Sequence, residues 1–112
     1  MCIFCKIANH EIPTRNVYED DDVLAFHDIS PQAPVHVLVI PKRHVASLNE
    51  ATDADQLLFS KLLRVATKVA EAQGVGTSGY RVVFNSGMDA GQSVLHVHAH
   101  VLGGRSLQWP PG

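Results

Sequence analysis

Residues 95–102 read Leu95-His96-Val97-His98-Ala99-His100-Val101-Leu102, a strict alternation of apolar and imidazole side chains. Successive side chains of a strand point to opposite faces. The pattern therefore predicts a β-strand over 95–102. Leu95, Val97, Ala99 and Val101 would pack on the core, and His96, His98 and His100 would share the other face, about 6.6 Å apart. A helix would scatter the imidazoles around its axis. No packing requirement calls for three imidazoles in a row, so the row reads as functional.

The rest of the chain supplies partners for such a strand. Residues 35–40 (VHVLVI) are apolar on both faces except at His36, which predicts a central, buried strand that Pro41 stops. Residues 17–18 and 23–27 flank an acidic run at 19–22 and read as a hairpin. Residues 80–85 make a further strand. Between them Leu58, Leu62, Val65, Ala66 and Val69 form one apolar stripe at helical spacing. Thr52 is the expected N-cap, Asp53 and Asp55 suit the first turn, and Gly74 and Gly76 end the helix. Ile3, Phe4, Ile7 and Ala8 predict a short N-terminal helix, closed off by Glu11-Ile12-Pro13. Residues 30–34 and 88–92 are loops, and 103–112 is an irregular tail. These elements predict an α+β fold in one domain, residues 1–112: an antiparallel sheet of about five strands, one long helix covering one face, and the short N-terminal helix.

Charge and cysteine usage narrow the chemistry. Nine Lys and Arg against eleven Asp and Glu leave a net charge of −2, which gives no electrostatic case for a nucleic-acid partner. No apolar run approaches the ~18 residues of a membrane span, and no leader pattern opens the chain. Cys2 and Cys5 cannot make a disulfide framework. A soluble, cytoplasmic protein of a reducing compartment is expected, with no membrane partner.

Seven histidines in 112 residues leave two readings of the imidazole row. One is metal, since His-x-His on a strand is a good zinc arrangement and Cys2-x-x-Cys5 offers thiolates. The other is nucleophilic catalysis, in which a neutral imidazole attacks phosphorus to form a P–N bond that water then opens. The preceding loop, Gly87-Met88-Asp89-Ala90-Gly91-Gln92-Ser93, favours phosphate. Gly91 permits close backbone approach, successive N–H groups can cradle an anion, and Ser93 offers a hydroxyl.

The string HVHAHVLGG resembles the signature of the histidine triad (HIT) family. FHDISPQAPVHVLVIPKRH, NSGMDAGQSVLHVHAHVLGG and the ending WPPG are similar to its nucleotide-binding Hint branch, over residues 3–112. The resemblance implies a HIT-like fold and a purine nucleoside phosphoramidase, cleaving the P–N bond of adenosine 5′-phosphoramidates and of AMP–lysine-type adducts. It makes His98 the nucleophile, held by the carbonyl of His96. His100 binds phosphate oxygen, His36 joins the imidazole network, and Ser93 meets the phosphate or the departing amine. It places Ile3, Phe4, Ile7, Phe26, His27, Asp28 and Ile29 around the nucleoside, with Asp28 on the ribose hydroxyls. Asn85, Gly91, Gln92, Ser93 and Val94 join His98 and His100 around the nucleotide. It implies a homodimer in which Trp109 reaches the partner's site. Catalysis would need no cofactor. Cys2, Cys5, His44 and His96 would hold a structural zinc, or the cysteines would remain free thiols. Competing readings are a zinc hydrolase liganded by His96, His98 and His100, a dinucleoside polyphosphate hydrolase, and a non-catalytic nucleotide-binding scaffold.

Overall fold

The computed structural model describes residues 2–112. Helix α1 (Ile3–Ala8) precedes strands β1 (Asn16–Glu19), β2 (Val23–His27) and β3 (Val35–Pro41). Helix α2 (Gln56–Ala72) follows two single 3-10 turns, and β4 (Tyr80–Phe84) and β5 (Ala99–Gly103) complete the sheet. The five strands are ordered β1-β2-β3-β5-β4, every neighbouring pair antiparallel. The apolar run at 35–40 thus occupies the middle of the sheet, where both of its faces are covered.

Alternation along the strands divides the interior into two layers. Val23, Ala25, Val37, Val39, Ala99 and Val101 pack under α2 against Leu62, Val65, Ala66, Val69 and Ala70. The intervening residues Leu24, Phe26, Leu38 and Ile40 face the other way, under Phe4, Ile7 and Ala8 of α1. Helices therefore cover both faces of the sheet, where the sequence suggested one. The α1 side is only partly covered, and the space beside α1 is where the imidazoles emerge.

Local chemistry sets the helix ends. Thr52 makes a reciprocal capping box with Asp55, but on the 3-10 turn Asp53–Asp55 that leads into α2. At the other end Gly74, at φ +80°, lets Val75 N–H reach the Ala70 carbonyl (3.0 Å), which seats Val75 in the core. Helix α1 stops at Ala8, before the predicted Pro13 boundary, because His10 turns left-handed (φ 62°) and the chain folds back, His10 N–H onto the Ile7 carbonyl (3.0 Å) and Glu11 N–H onto the Lys6 carbonyl (2.9 Å). Among the described residues no helix is long and apolar enough to cross a membrane.

One expectation is corrected. The last strand spans Ala99–Gly103, not 95–102, and Leu95 is 65% exposed instead of packed in the core. Continuing the β3–β5 register past Val39↔Ala99 would set residue 97 opposite Pro41, which has no N–H for the ladder. Val97 N–H instead donates to the Val45 carbonyl (2.7 Å), and the chain leaves the sheet. The three imidazoles consequently do not form one row.

Candidate active site

Hydrogen bonding assigns the proton on each imidazole. His98 is 5% exposed, and its Nδ1 lies 2.8 Å from the His96 carbonyl oxygen. A carbonyl only accepts, so Nδ1 carries the proton and Nε2 keeps its lone pair. His96, fully buried, presents Nε2 to the Pro41 carbonyl at 2.8 Å, so its bare nitrogen is Nδ1. His36 accepts the Gln32 N–H on Nδ1 (3.0 Å) and therefore holds its proton on Nε2. That proton faces His100 Nδ1 at 2.9 Å, which leaves the His100 proton on Nε2. The middle imidazole thus offers a lone pair, and the last offers an N–H.

His98 and His100 open into a cavity of about 400 Å³ beside α1, with ring centroids 5.0 Å apart. Its walls bring together Ile3, Phe4, Ile7, Phe26, Asp28, Ile29, Ser93 and Val94 from the sequence reading, and add Ile12, Pro13, Thr14 and Leu38. Phe4 makes T-shaped contacts with Phe26 (5.7 Å) and with His98 (5.1 Å), which packs α1 beside the ring that the His96 carbonyl orients. Asp28 accepts the Ser30 N–H (2.8 Å), lies 3.5 Å from His36 Nε2, and lines the cavity. His36 sits behind His100, and His27 lines an adjoining hollow.

Asn85, Gly91 and Gln92 do not form part of these walls. The Gln92 side chain staples its own loop: Nε2 donates to the Ala46 and Val94 carbonyls (2.7 and 3.0 Å) and Oε1 accepts Gly87 N–H (3.0 Å). The N–H groups of Gly91 and Gln92 are used within the turn, on Met88 and Gly87. Ser93, which carries a hydroxyl, is the residue of the 87–93 loop that lines the cavity. A wider cleft of about 640 Å³, lined among others by Arg43, Ser47, Thr52, Ser86 and Leu95, meets only His44 of the imidazoles. Trp109, 82% exposed, stands on the tail, which Arg81 Nη2 holds through the Gln108 carbonyl (3.0 Å).

Two clusters have metal-ligand composition. In the first, Cys2 Sγ, Cys5 Sγ, His44 Nδ1 and His96 Nδ1 are separated pairwise by 3.2–3.6 Å. A tetrahedron with edges of about 3.4 Å has its centre about 2.1 Å from each corner, within the range of Zn–N and Zn–S bonds. His96 Nε2–H on the Pro41 carbonyl is the outer contact that orients a zinc-binding imidazole. The donor set fits zinc. The second cluster, Asp28, His36 and His100, does not fit a cation. The Gln32 N–H occupies the His36 Nδ1 lone pair, so a metal on Nε2 would require an imidazolate. His96, His98 and His100 direct their nitrogens to three different partners and share no metal position.

Burial favours the neutral form of His36, His96 and His100. It lowers His36, although the Asp28 charge opposes the shift, and it lowers His96. Burial, with the neighbouring His98 and His36, holds His100 down at about 4. A histidine in the unfolded chain takes its proton near pH 6.5. Stability from neutral His100 is therefore whole above pH 6.5 and is lost as pH falls towards 4, by up to roughly 3 kcal/mol. Denaturant titrations at pH 7 and 4.5 should show that fall, and His100→Ala should flatten it. Equal slopes in the two proteins would contradict the assignment.

Residues 9–107 match the HIT domain. An uncharacterised HIT-like protein of Synechococcus elongatus is 56% identical over 110 residues, covering 98% of this chain and 96% of the relative. The crystal structure of a HIT family hydrolase from Legionella pneumophila superposes with a TM-score of 0.98 at 52% identity, covering all of both chains. A histidine triad protein from Clostridium difficile gives a TM-score of 0.93 at 50% identity, over 96% of this chain and 93% of that one. A histidine triad nucleotide-binding protein from Candida albicans gives 0.81 at 38% identity, over 90% and 73%.

Proposed function

The chain belongs to the HIT domain family, and on that premise we propose that it is a nucleotide-binding hydrolase that cleaves the P–N bond of purine nucleoside 5′-phosphoramidates. Solved relatives described as a HIT family hydrolase and as a histidine triad nucleotide-binding protein support the hydrolase and nucleotide parts. The observation that carries the finer reading is the pinned His98 ring, which lines the cavity: Nδ1–H is spent on the His96 carbonyl, so the lone pair of the neutral ring lies on Nε2.

The steps follow from the proton assignments. The purine lies among Ile3, Phe4, Ile7, Phe26 and Ile29, and Asp28 accepts hydrogen bonds from the ribose hydroxyls. The His98 Nε2 lone pair attacks the α-phosphorus. The P–N bond breaks, and the departing nitrogen takes one proton, delivered through the Ser93 hydroxyl or solvent. The product is a nucleotidyl-histidine whose cationic ring keeps Nδ1–H on the His96 carbonyl. Water then attacks phosphorus, the P–Nε2 bond breaks, and one proton returns to solvent as AMP leaves. Throughout, His100 Nε2–H donates to a phosphoryl oxygen, where negative charge grows in the transition state.

Zinc at Cys2, Cys5, His44 and His96 belongs to this reading as a structural ion. It would supply cross-linking of three chain segments and no chemistry at phosphorus. The active form in this reading is a homodimer. That reading is supported by the unpaired edge of strand β4, the exposed Leu63 of α2 and the exposed Trp109 on the tail. The deciding experiment is trapping. Incubation with a labelled adenosine 5′-phosphoramidate, followed by a quench, should leave an acid-labile adenylyl group that maps to His98. Label on another residue, or turnover in ¹⁸O-water whose stereochemical course shows one displacement instead of two, would remove the proposal.

A further inference from the structure

Helix α1 serves two sites with adjacent residues. Cys2, its N-cap, and Cys5 aim their thiols at the zinc cluster, while Ile3, Phe4 and Ile7 form a wall of the nucleoside cavity. We propose that the zinc clasp sets nucleotide affinity by fixing α1 as that wall, so that metal-loaded and metal-free protein differ in binding and not in the chemistry on His98. This rests on the functional reading above, for the cavity as a nucleoside site and the cluster as a zinc site.

Four observations lead there. Six residues are too few for a helix to hold itself in water. The backbone hydrogen bonds of α1 and its exit run within residues 2–11: Lys6 to Cys2, Asn9 to Cys5, His10 to Ile7 and Glu11 to Lys6. Among the contacts that join α1 to the sheet are the packing of Phe4, Ile7 and Ala8, an exposed His10–Glu19 pair (2.7 Å), and the Cys/His cluster. The other two ligands sit on the sheet's own extensions: His44 follows β3 and His96 precedes β5. A metal at the cluster therefore bolts a marginal helix to a rigid frame.

The nucleophile does not depend on that bolt. His98 is oriented by the His96 carbonyl, and residues 96–97 are anchored independently, by the Pro41 carbonyl on the His96 ring and by Val97 N–H on Val45. Loss of metal frees α1 and leaves the His98 tautomer and direction in place. Apparent affinity then falls with the fraction of molecules in which α1 is docked.

The test compares protein loaded with zinc and the same protein stripped by a chelator, with AMP as the probe. Stripping should raise the AMP Kd about tenfold or more. Hydrogen exchange at Ile3–Ala8 should accelerate while β3 and β5 keep their protection. Single-turnover hydrolysis at saturating substrate should stay within about twofold. Added zinc should reverse each change. Cys5→Ser and His44→Ala lie on different segments and should each reproduce the stripped protein, with no further effect of chelator. Equal AMP Kd in both forms overturns the inference, as does loss of protection across the whole sheet or a protein that takes up no zinc. Failure of AMP to bind either form would overturn the nucleotide reading itself and the inference with it.

Discussion

His98→Ala is expected to lower turnover of an adenosine 5′-phosphoramidate by about 10⁴-fold or more while AMP affinity changes only a few-fold. The asymmetry follows from what the ring touches. Its Nδ1–H faces the His96 carbonyl, the ring packs T-shaped against Phe4, and Nε2 is the nitrogen left for phosphorus in the cavity that the ring lines. In the proposed reading affinity resides elsewhere, in the apolar wall and in Asp28. Deleting the ring removes a covalent step that no neighbour can take over. His96 Nδ1 is turned into the cysteine cluster, and His100 has Nδ1 occupied by His36 and its proton on Nε2. His98→Gly offers a complementary measurement, since added imidazole can enter the vacated space and restore part of the rate. Near-native turnover in His98→Ala would mean that water attacks directly and that the imidazoles only bind.

Where sequence sufficed and where it failed has a physical pattern. The VHVLVI run could only be a central strand, and the stripe from Leu62 to Val69 could only face a sheet. Both follow from side-chain periodicity, and the structure has them. The same periodicity misread residues 95–98. Their alternation is strand-like, but pairing needs a backbone donor that Pro41 lacks, and a missing N–H on a distant segment leaves no mark on the pattern being read. The consequence is functional: His96 leaves the row and its ring joins Cys2, Cys5 and His44, 94, 91 and 52 residues away. Cys2-x-x-Cys5 announced two ligands by spacing, whereas the two histidines were named only through family resemblance. Gln32 was not foreseen at all. Its contribution is a main-chain N–H, which any residue but proline supplies, so no side-chain signature could point to it.

That N–H decides what His100 can do. The relay runs from Gln32 N–H to His36 Nδ1, and from His36 Nε2–H to His100 Nδ1. A peptide N–H cannot surrender its proton, so the relay cannot refill His100 once it has given a proton away. Burial adds to this by holding His100 at about 4, so the neutral form prevails at pH 7. In the proposed mechanism His100 is then a hydrogen-bond donor to phosphoryl oxygen and not a general acid. His100→Ala should lower kcat by about 10²–10³-fold, the usual loss of one preorganised oxyanion donor. His100→Gln separates the two roles, because a glutamine amide reaches about as far as Nε2 and donates a hydrogen bond but no proton. It should retain kcat within about tenfold of the native protein, with equal penalties for good and poor amine leaving groups. If Gln proves as damaging as Ala, and the damage grows as the leaving amine becomes more basic, then His100 does give its proton. The neutral relay read from Gln32 would then have to give way to one in which His36 carries a second proton, with Asp28, 3.5 Å from its Nε2, as the counter-charge.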